Sequence, residues 1–332
     1  MAGMTDVRAE NVPVLIVRMV VLCGFLLGWC ASVSADTPLQ AAGDEVVFRQ
    51  SAELPEHPLR IVSLEAITTE MLLALDIVPA GAAGLDAYQR QNKPRSEQLD
   101  NSVALGTEQQ PNLERLIRLK PDLVIGTSSL HGSLFDRLDR LAPTVLYDVS
   151  LTPVEGDAID QIAAVLRHLG VLTHRQPQAG QVLASLDAAL ADSWQVAADA
   201  GITGLPLAVL YPLPAQGVFT VPHENTLVGS LASRLGGNNP WPLTNPRIVH
   251  QRVEFHELAQ HPDLHLLLIG SSQGAPMFDS RLWQALPVAR QQRWGFLPTH
   301  YWSFGGPLTA EMILGQMQDV IQQMGQPSTA DD

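Results

Sequence analysis

Three sets of side chains in this sequence have the types and spacing to do chemistry. The first is HYWSFGG, residues 300–306, which puts Tyr301, Trp302 and Phe304 within four positions. Aromatic residues make up only 5% of the chain, yet Trp294, Phe296, Tyr301, Trp302 and Phe304 share one eleven-residue window. Flat rings wall small-molecule clefts, and Tyr and Trp add a polar edge for orientation. Pro298 on one side and Gly305, Gly306 and Pro307 on the other mark a loop, whose side chains reach the surface. Tyr301, Trp302 and Phe304 are therefore read as ligand-facing, and Trp294 and Phe296, on an expected strand, as core.

The second set is HELAQHPDLH, with His256, His261 and His265. Imidazoles are common metal ligands. On one helix, however, His256 and His261 lie about 140° apart, and Pro262 separates both from His265 on an expected strand. The spacing is not H-E-x-x-H, and a solvated helix end accounts for it better than a metal site. The third set is the scattered Ser, His and Asp that a hydrolase would need. No G-x-S-x-G elbow, no P-loop and no G-x-G-x-x-G fingerprint is read in the sequence. A receptor, unlike a hydrolase, needs only contacts.

The elements that must position these groups follow from periodicity. Arg60 to Leu64 reads as a short buried strand, and Thr68 to Asp76 as a helix with Thr68 as its N-cap. Ile77 to Gly81 follows as the next strand and turn. The alternation continues with Leu113 to Lys120 (helix), Leu123 to Gly126 (strand), Leu134 to Leu141 (helix) and Thr144 to Asp148 (strand). Ala158 to Leu169 is one helix, ending at Gly170. Gln178 to Ala200 then runs 23 residues rich in helix formers, without proline. Beyond it, Leu207 to Tyr211, a helix over Leu227 to Leu235 stopped by Gly236 and Gly237, and Leu264 to Gly270 resume the alternation. This pattern argues for an α/β protein of two lobes separated by a single long helix. The lobes echo each other: LKPDLVIGTSS (119–129) and QHPDLHLLLIGSS (260–272) share a helix end, Pro-Asp-Leu, a strand and then glycine with hydroxyl residues. Gly126 and Gly270 would both face the cleft, since ligands in open α/β sheets bind beyond the carboxyl ends of strands.

Composition narrows the function. A formal charge of −14, with Lys93 and Lys120 the only lysines, leaves no basic stripe to neutralise phosphates, so no nucleic acid is expected as partner. Residues 1–35 have the order of a secretory signal peptide: Arg8 and Arg18, the apolar run VVLCGFLLGWCASV, then Val33-Ser34-Ala35, with cleavage expected after Ala35. Cys23 and Cys30 lie inside it, so the mature chain would carry no thiol, which fits a bacterial periplasm. Trp29 before Cys30 and Leu22 before Cys23 are a poor match to a lipid-attachment site.

The runs RIVSLEAITTEMLLALDIVPAG, PNLERLIRLKPDLVIGTSS and DSRLWQALPVARQQRWGFLPTHYWSFGG resemble periplasmic ferric-siderophore-binding proteins of ABC importers, most closely those for hydroxamate siderophores. The resemblance covers nearly the whole mature chain. It implies a class III periplasmic binding protein fold, with an N-terminal lobe over 44–174, a bridging helix over 175–203 and a C-terminal lobe over 204–326. It also implies a non-enzyme, acting as a monomer without a cofactor of its own, that hands a ferric siderophore to an inner-membrane permease. Within it, Trp302 falls at a cleft tryptophan, Phe304 at a frequent tyrosine, Tyr88 in the N-lobe aromatic loop, His131 at a cleft tyrosine and Trp241 near a C-lobe tryptophan. Asp136 matches an acidic permease-docking position. The arginine expected before Pro111 is absent, and Glu108 falls in its place; an acid there would repel the chelate's anionic oxygens, unless the siderophore is cationic or Arg90, Arg247 or Arg252 supplies the charge from elsewhere. Glu70 is expected to cap or pair rather than bind. A haem or cobalamin receptor of the same architecture, or a secreted α/β hydrolase, remains an alternative.

Overall fold

The computed structural model describes residues 44–91, 93–149, 156–242, 245, 248, 250–270, 273–298 and 305–324. Strands β1 (Val47–Gln50), β2 (Ile61–Ser63), β3 (Gly81–Ala82), β4 (Val103–Ala104), β5 (Leu123–Thr127) and β6 (Thr144–Tyr147) form a first sheet in the order β1-β6-β5-β2-β3-β4. All its neighbours run parallel except β1, which lies antiparallel on β6. Strands β7 (Leu207–Leu213), β8 (Val218–Pro222), β9 (His250–Val253), β10 (His265–Ile269) and β11 (Trp294–Leu297) form a second, in the order β11-β10-β7-β8-β9. Here β10 is parallel to both β7 and β11, while β8 is antiparallel to β7 and β9. The echoed segments become β5 and β10, each an inner strand buried at every residue. Strands covered on both faces by helices carry continuous apolar runs of this kind.

The helix Gln176–Asp199 joins the two sheets, and the expected architecture of two α/β lobes and one long helix is the one adopted. It starts two residues before its expected beginning because Pro177 is tolerated in a first turn, where its missing N–H costs nothing. Three local expectations are corrected. The preceding helix, Ala158–Leu172, runs through Gly170 instead of stopping there; a Cβ on Gly170 would lie 2.9 Å from that of Ala179, so the glycine lets two helices touch. Residues 77–80 are not strand, and β3 is only Gly81–Ala82. The first helix is Ala66–Ala74, with Glu65 rather than Thr68 at the N-cap position; the Thr68 hydroxyl instead donates to the Glu65 carbonyl.

One apolar cluster spans both lobes. It contains Ile61, Leu123 and Val145 from the first sheet, Leu207, Val209 and Leu267 from the second, Leu186 and Leu190 from the long helix, and Ile313 and Met317 from the last helix, Pro307–Gln323. Polar ties reinforce it. The buried Glu70 carboxylate accepts from the Thr309 N–H and hydroxyl, capping the last helix as expected of Glu70. Arg234 of the helix Leu227–Arg234 bonds Asp157 and Asp160 at the head of Ala158–Leu172. A separate C-lobe cluster holds Trp283, Phe278, Trp294 and Phe296, which places the last two in a core, as expected.

Candidate functional site

Four adjacent strands, β5-β2-β3-β4, end along one edge of the first sheet, where an α/β protein gathers ligand-contacting loops. Beyond them come Thr127, Glu65, Gly84 and Glu108. The half-buried Glu108 carboxylate is the hub: its Oε1 accepts from the Ala66 N–H at 2.7 Å, at the head of the helix that follows β2. An acid at a helix N-terminus gains about 0.3–1 kcal/mol from the backbone dipoles. Glu65, though at the N-cap position, does not cap; its carboxylate accepts from the Thr127 hydroxyl. Gly84, at φ +71°, lets Glu108 lie against it, since a Cβ there would come within 2.8 Å of the Glu108 Cγ.

Burial pushes the Glu108 carboxyl above the usual range, against the opposing pull of the Ala66 N–H and of the Lys93 ammonium. Lys93 is itself buried, its Nζ 5.8 Å from the Tyr88 ring centroid. Nothing in the local sequence marks this lysine, beyond its being one of two in the chain.

Three of the expected ligand contacts, His131, Tyr88 and Trp241, are buried. His131 is fully buried, with Nδ1 accepting from the Thr127 N–H at 3.1 Å. That leaves Nε2 to carry the proton and donate to the Glu108 carbonyl at 2.9 Å, so the imidazole steadies the Glu108 loop. Burial holds its pKa below the ordinary value. Tyr88 is 2% exposed and donates its hydroxyl to the Pro94 carbonyl, while its ring packs with Leu73, Leu85 and Leu99. Trp241, at 6%, belongs to the C-lobe core and meets His261 edge-on. In each case tertiary packing covers a ring that local sequence suggests is exposed.

Arg90 ends the helix Leu85–Arg90 and is exposed. Arg252 is exposed and donates to Gln216. Asp136 is exposed on the helix Phe135–Asp139 and pairs with Arg49 at 2.9 Å; the Arg49 guanidinium also lies over the Phe135 ring. An open groove of ≈ 500 Å³ runs between Gln109–Glu114 and Leu134–Arg137, beside the Glu108 loop. Between the lobes, Ile67, Val149, Gln161, Asn225 and Leu227 line a small pocket of ≈ 20 Å³, room for about one water. Tyr301, Trp302, Phe304 and Arg247 lie outside the described residues, as do residues 1–35.

Other chemistries find little support. No group of three or more metal-ligating side chains occurs among the described residues: His256 is on an exposed turn and His265 in a strand. The sequence does contain one G-x-S-x-G spacing, Gly270-Ser271-Ser272-Gln273-Gly274, directly after β10. A nucleophile elbow opens into an α-helix, whereas the next element here is the 3₁₀ turn Pro276–Asp279. No helix among the described residues is long and apolar enough to cross a membrane.

Two α/β sheets joined by a long helix, with polar groups along one carboxyl edge, define a bilobal binding protein. Residues 61–291 match the periplasmic binding protein family, and the chain belongs to it. It is 27% identical over 271 residues to the iron(3+)-hydroxamate-binding protein FhuD of Escherichia coli (strain K12), covering 80% of this chain and 87% of that one. It is also 27% identical over 213 residues to a vitamin B12-binding protein of Salmonella paratyphi A, 61% and 70% of the two chains. Four further curated relatives are matched over about half of their own length or less. Among solved structures, the Fe3+-Desferal-bound FhuD of Vibrio cholerae superposes with TM-score 0.64 at 24% identity, over 79% of this chain and 97% of that one.

Proposed function

We propose that this chain is the periplasmic receptor of an ABC importer, which takes a ferric siderophore of hydroxamate type between its lobes and delivers it to an inner-membrane permease. The alignment with an iron(3+)-hydroxamate-binding protein along most of both chains carries the proposal. It acts as a monomer, after export and cleavage behind Ala35, with lobes over 44–174 and 204–326 and the bridge over 175–203. The chelate is its cargo, so it needs no cofactor of its own and catalyses nothing. Glu108, Arg90, His131 and Tyr88 serve the N-lobe side of the site, His131 through its bond to the Glu108 carbonyl. Trp302, Tyr301, Phe304 and Trp241 serve the C-lobe side of the site, and Asp136 docks the permease.

The test is quenching of tryptophan fluorescence by a panel of ferric siderophores, in the wild type and in Trp302→Ala. Saturable quenching that the substitution weakens is the expected result; no quenching by any chelate would remove the proposal. The similarity to a vitamin B12-binding protein favours cobalamin as the second reading. It predicts instead a visible-absorbance change on adding cobalamin, with no response to ferric chelates.

A further inference from the structure

We propose that Glu108 selects ligands by charge: at neutral pH the N-lobe wall accepts a ferric chelate through a cationic or N–H donor group and rejects one with an anionic periphery. This rests on the receptor function proposed above and narrows its substrate class. The Glu108 carboxylate stands at the carboxyl edge of β4, the place in this fold where a ligand meets the N lobe. One oxygen, Oε1, is held by the Ala66 N–H at 2.7 Å, which fixes the carboxylate at this edge. A half-buried carboxylate is poorly screened, so an approaching anionic oxygen is repelled and a donor attracted more strongly than at an exposed site.

The groups packed around it set the balance. Glu65 comes from the head of the Ala66–Ala74 helix and is engaged with Thr127. Lys93, with Tyr88, comes from the segment after β3. His131 comes from the segment after β5, and bonds the Glu108 carbonyl rather than its carboxylate. Arg115 turns its guanidinium to the Ala104 carbonyl. The Lys93 ammonium pulls the Glu108 pKa down, while burial, the larger effect, raises it. Acid should therefore switch the selector off by adding a proton to Glu108.

The experiment uses three ferric trihydroxamate chelates built on one backbone, bearing a free amine, an acetylated amine or a succinylated amine, so that only the peripheral charge differs. Equilibrium dialysis against the full chain, read by the chelate's iron absorbance, gives affinities from pH 7.5 to pH 5. The wild type should favour the amine over the succinylated chelate by about tenfold or more at pH 7.5, and less as the pH falls. Glu108→Gln, which keeps the oxygen that caps Ala66, should bind all three alike at every pH. Glu65→Gln should keep the preference. Equal wild-type affinities for the three chelates, or a preference that survives in Glu108→Gln, would overturn the selector and leave the receptor function standing. Binding of none of the three by the wild type would overturn both.

Discussion

Glu70 and Thr309 stand 239 positions apart, yet the Glu70 carboxylate accepts both the Thr309 N–H at 2.7 Å and its hydroxyl at 2.6 Å. Both residues are buried, so the pair is a helix cap supplied from across the molecule, joining the first helix of the N lobe to the last helix of the chain. Charge-assisted bonds are the stronger kind, and removing one partner leaves buried donors unmatched. Glu70→Ala should cost roughly 2–4 kcal/mol, by the range for buried charged hydrogen bonds. Urea titration of the wild type and the variant measures it; a loss under about 0.5 kcal/mol, the scale of an exposed pair, would show that the cap is dispensable.

The same bolt, with Arg234 on Asp157 and Asp160 and an apolar cluster common to both lobes, opposes hinge motion. Small-angle scattering with and without a saturating chelate should show nearly unchanged dimensions. A compaction typical of hinge closure between separate domains would contradict this packing.

Trp241 tests the difference between wall and core. Trp241→Phe keeps an aromatic ring but should leave a void in the C-lobe cluster, costing about 1–3 kcal/mol. Ligand affinity of the folded variant should stay within about twofold of wild type, because the ring is buried in the C-lobe core. A large loss of affinity at unchanged stability would return Trp241 to the cleft.

Acid stability follows from the buried histidines. Burial lowers the pKa of His131, His223, His250 and His265 in the fold, His250 also feeling His223 and His265 also feeling Arg293. The unfolded chain then binds more protons in the window below the ordinary histidine value of about 6.5. The stability these neutral rings contribute is present above that value and is lost as pH falls through the folded-state values. Glu108 has the opposite sign: its raised pKa contributes stability at low pH that disappears as pH rises through the carboxylate range. Urea midpoints measured from pH 7.5 to pH 5 should fall, and His131→Gln should reduce the slope. A flat profile would mean that these rings are hydrated in the fold.

Asp136 separates docking from folding. It is exposed and paired only at the surface with Arg49, so Asp136→Asn should change stability by less than about 1 kcal/mol. Chelate affinity should be unaffected while uptake by cells carrying the permease falls. Normal uptake would assign Asp136 to an ordinary solvated face.

How much was legible depended on range. The strands Leu123–Thr127 and His265–Ile269 could be read from sequence because doubly covered strands are apolar throughout, and the long helix because it is rich in helix formers and its interior lacks proline. Those are local signals, set by the φ/ψ preferences and side-chain spacing of neighbouring residues. The spacing of Trp294 and Phe296 on a strand likewise foretold a core. What local spacing could not encode was which surface a ring would meet once the chain had closed over it. His131, Tyr88 and Trp241 look the same in sequence whether exposed or covered, and only packing by distant segments buries them. Gly170 resembles a helix stop until Ala179 of the next helix presses against it. Glu108 stands out in the sequence as an acid where the resemblance calls for an arginine. Its bond to Ala66, the carbonyl tie to His131 and the neighbouring Lys93 exist only because β2, β3, β4 and β5 end side by side. The sequence by itself therefore determined the elements and the binding-protein class; tertiary structure decided which polar groups share a low-dielectric edge, because that depends on contacts between residues far apart in the chain.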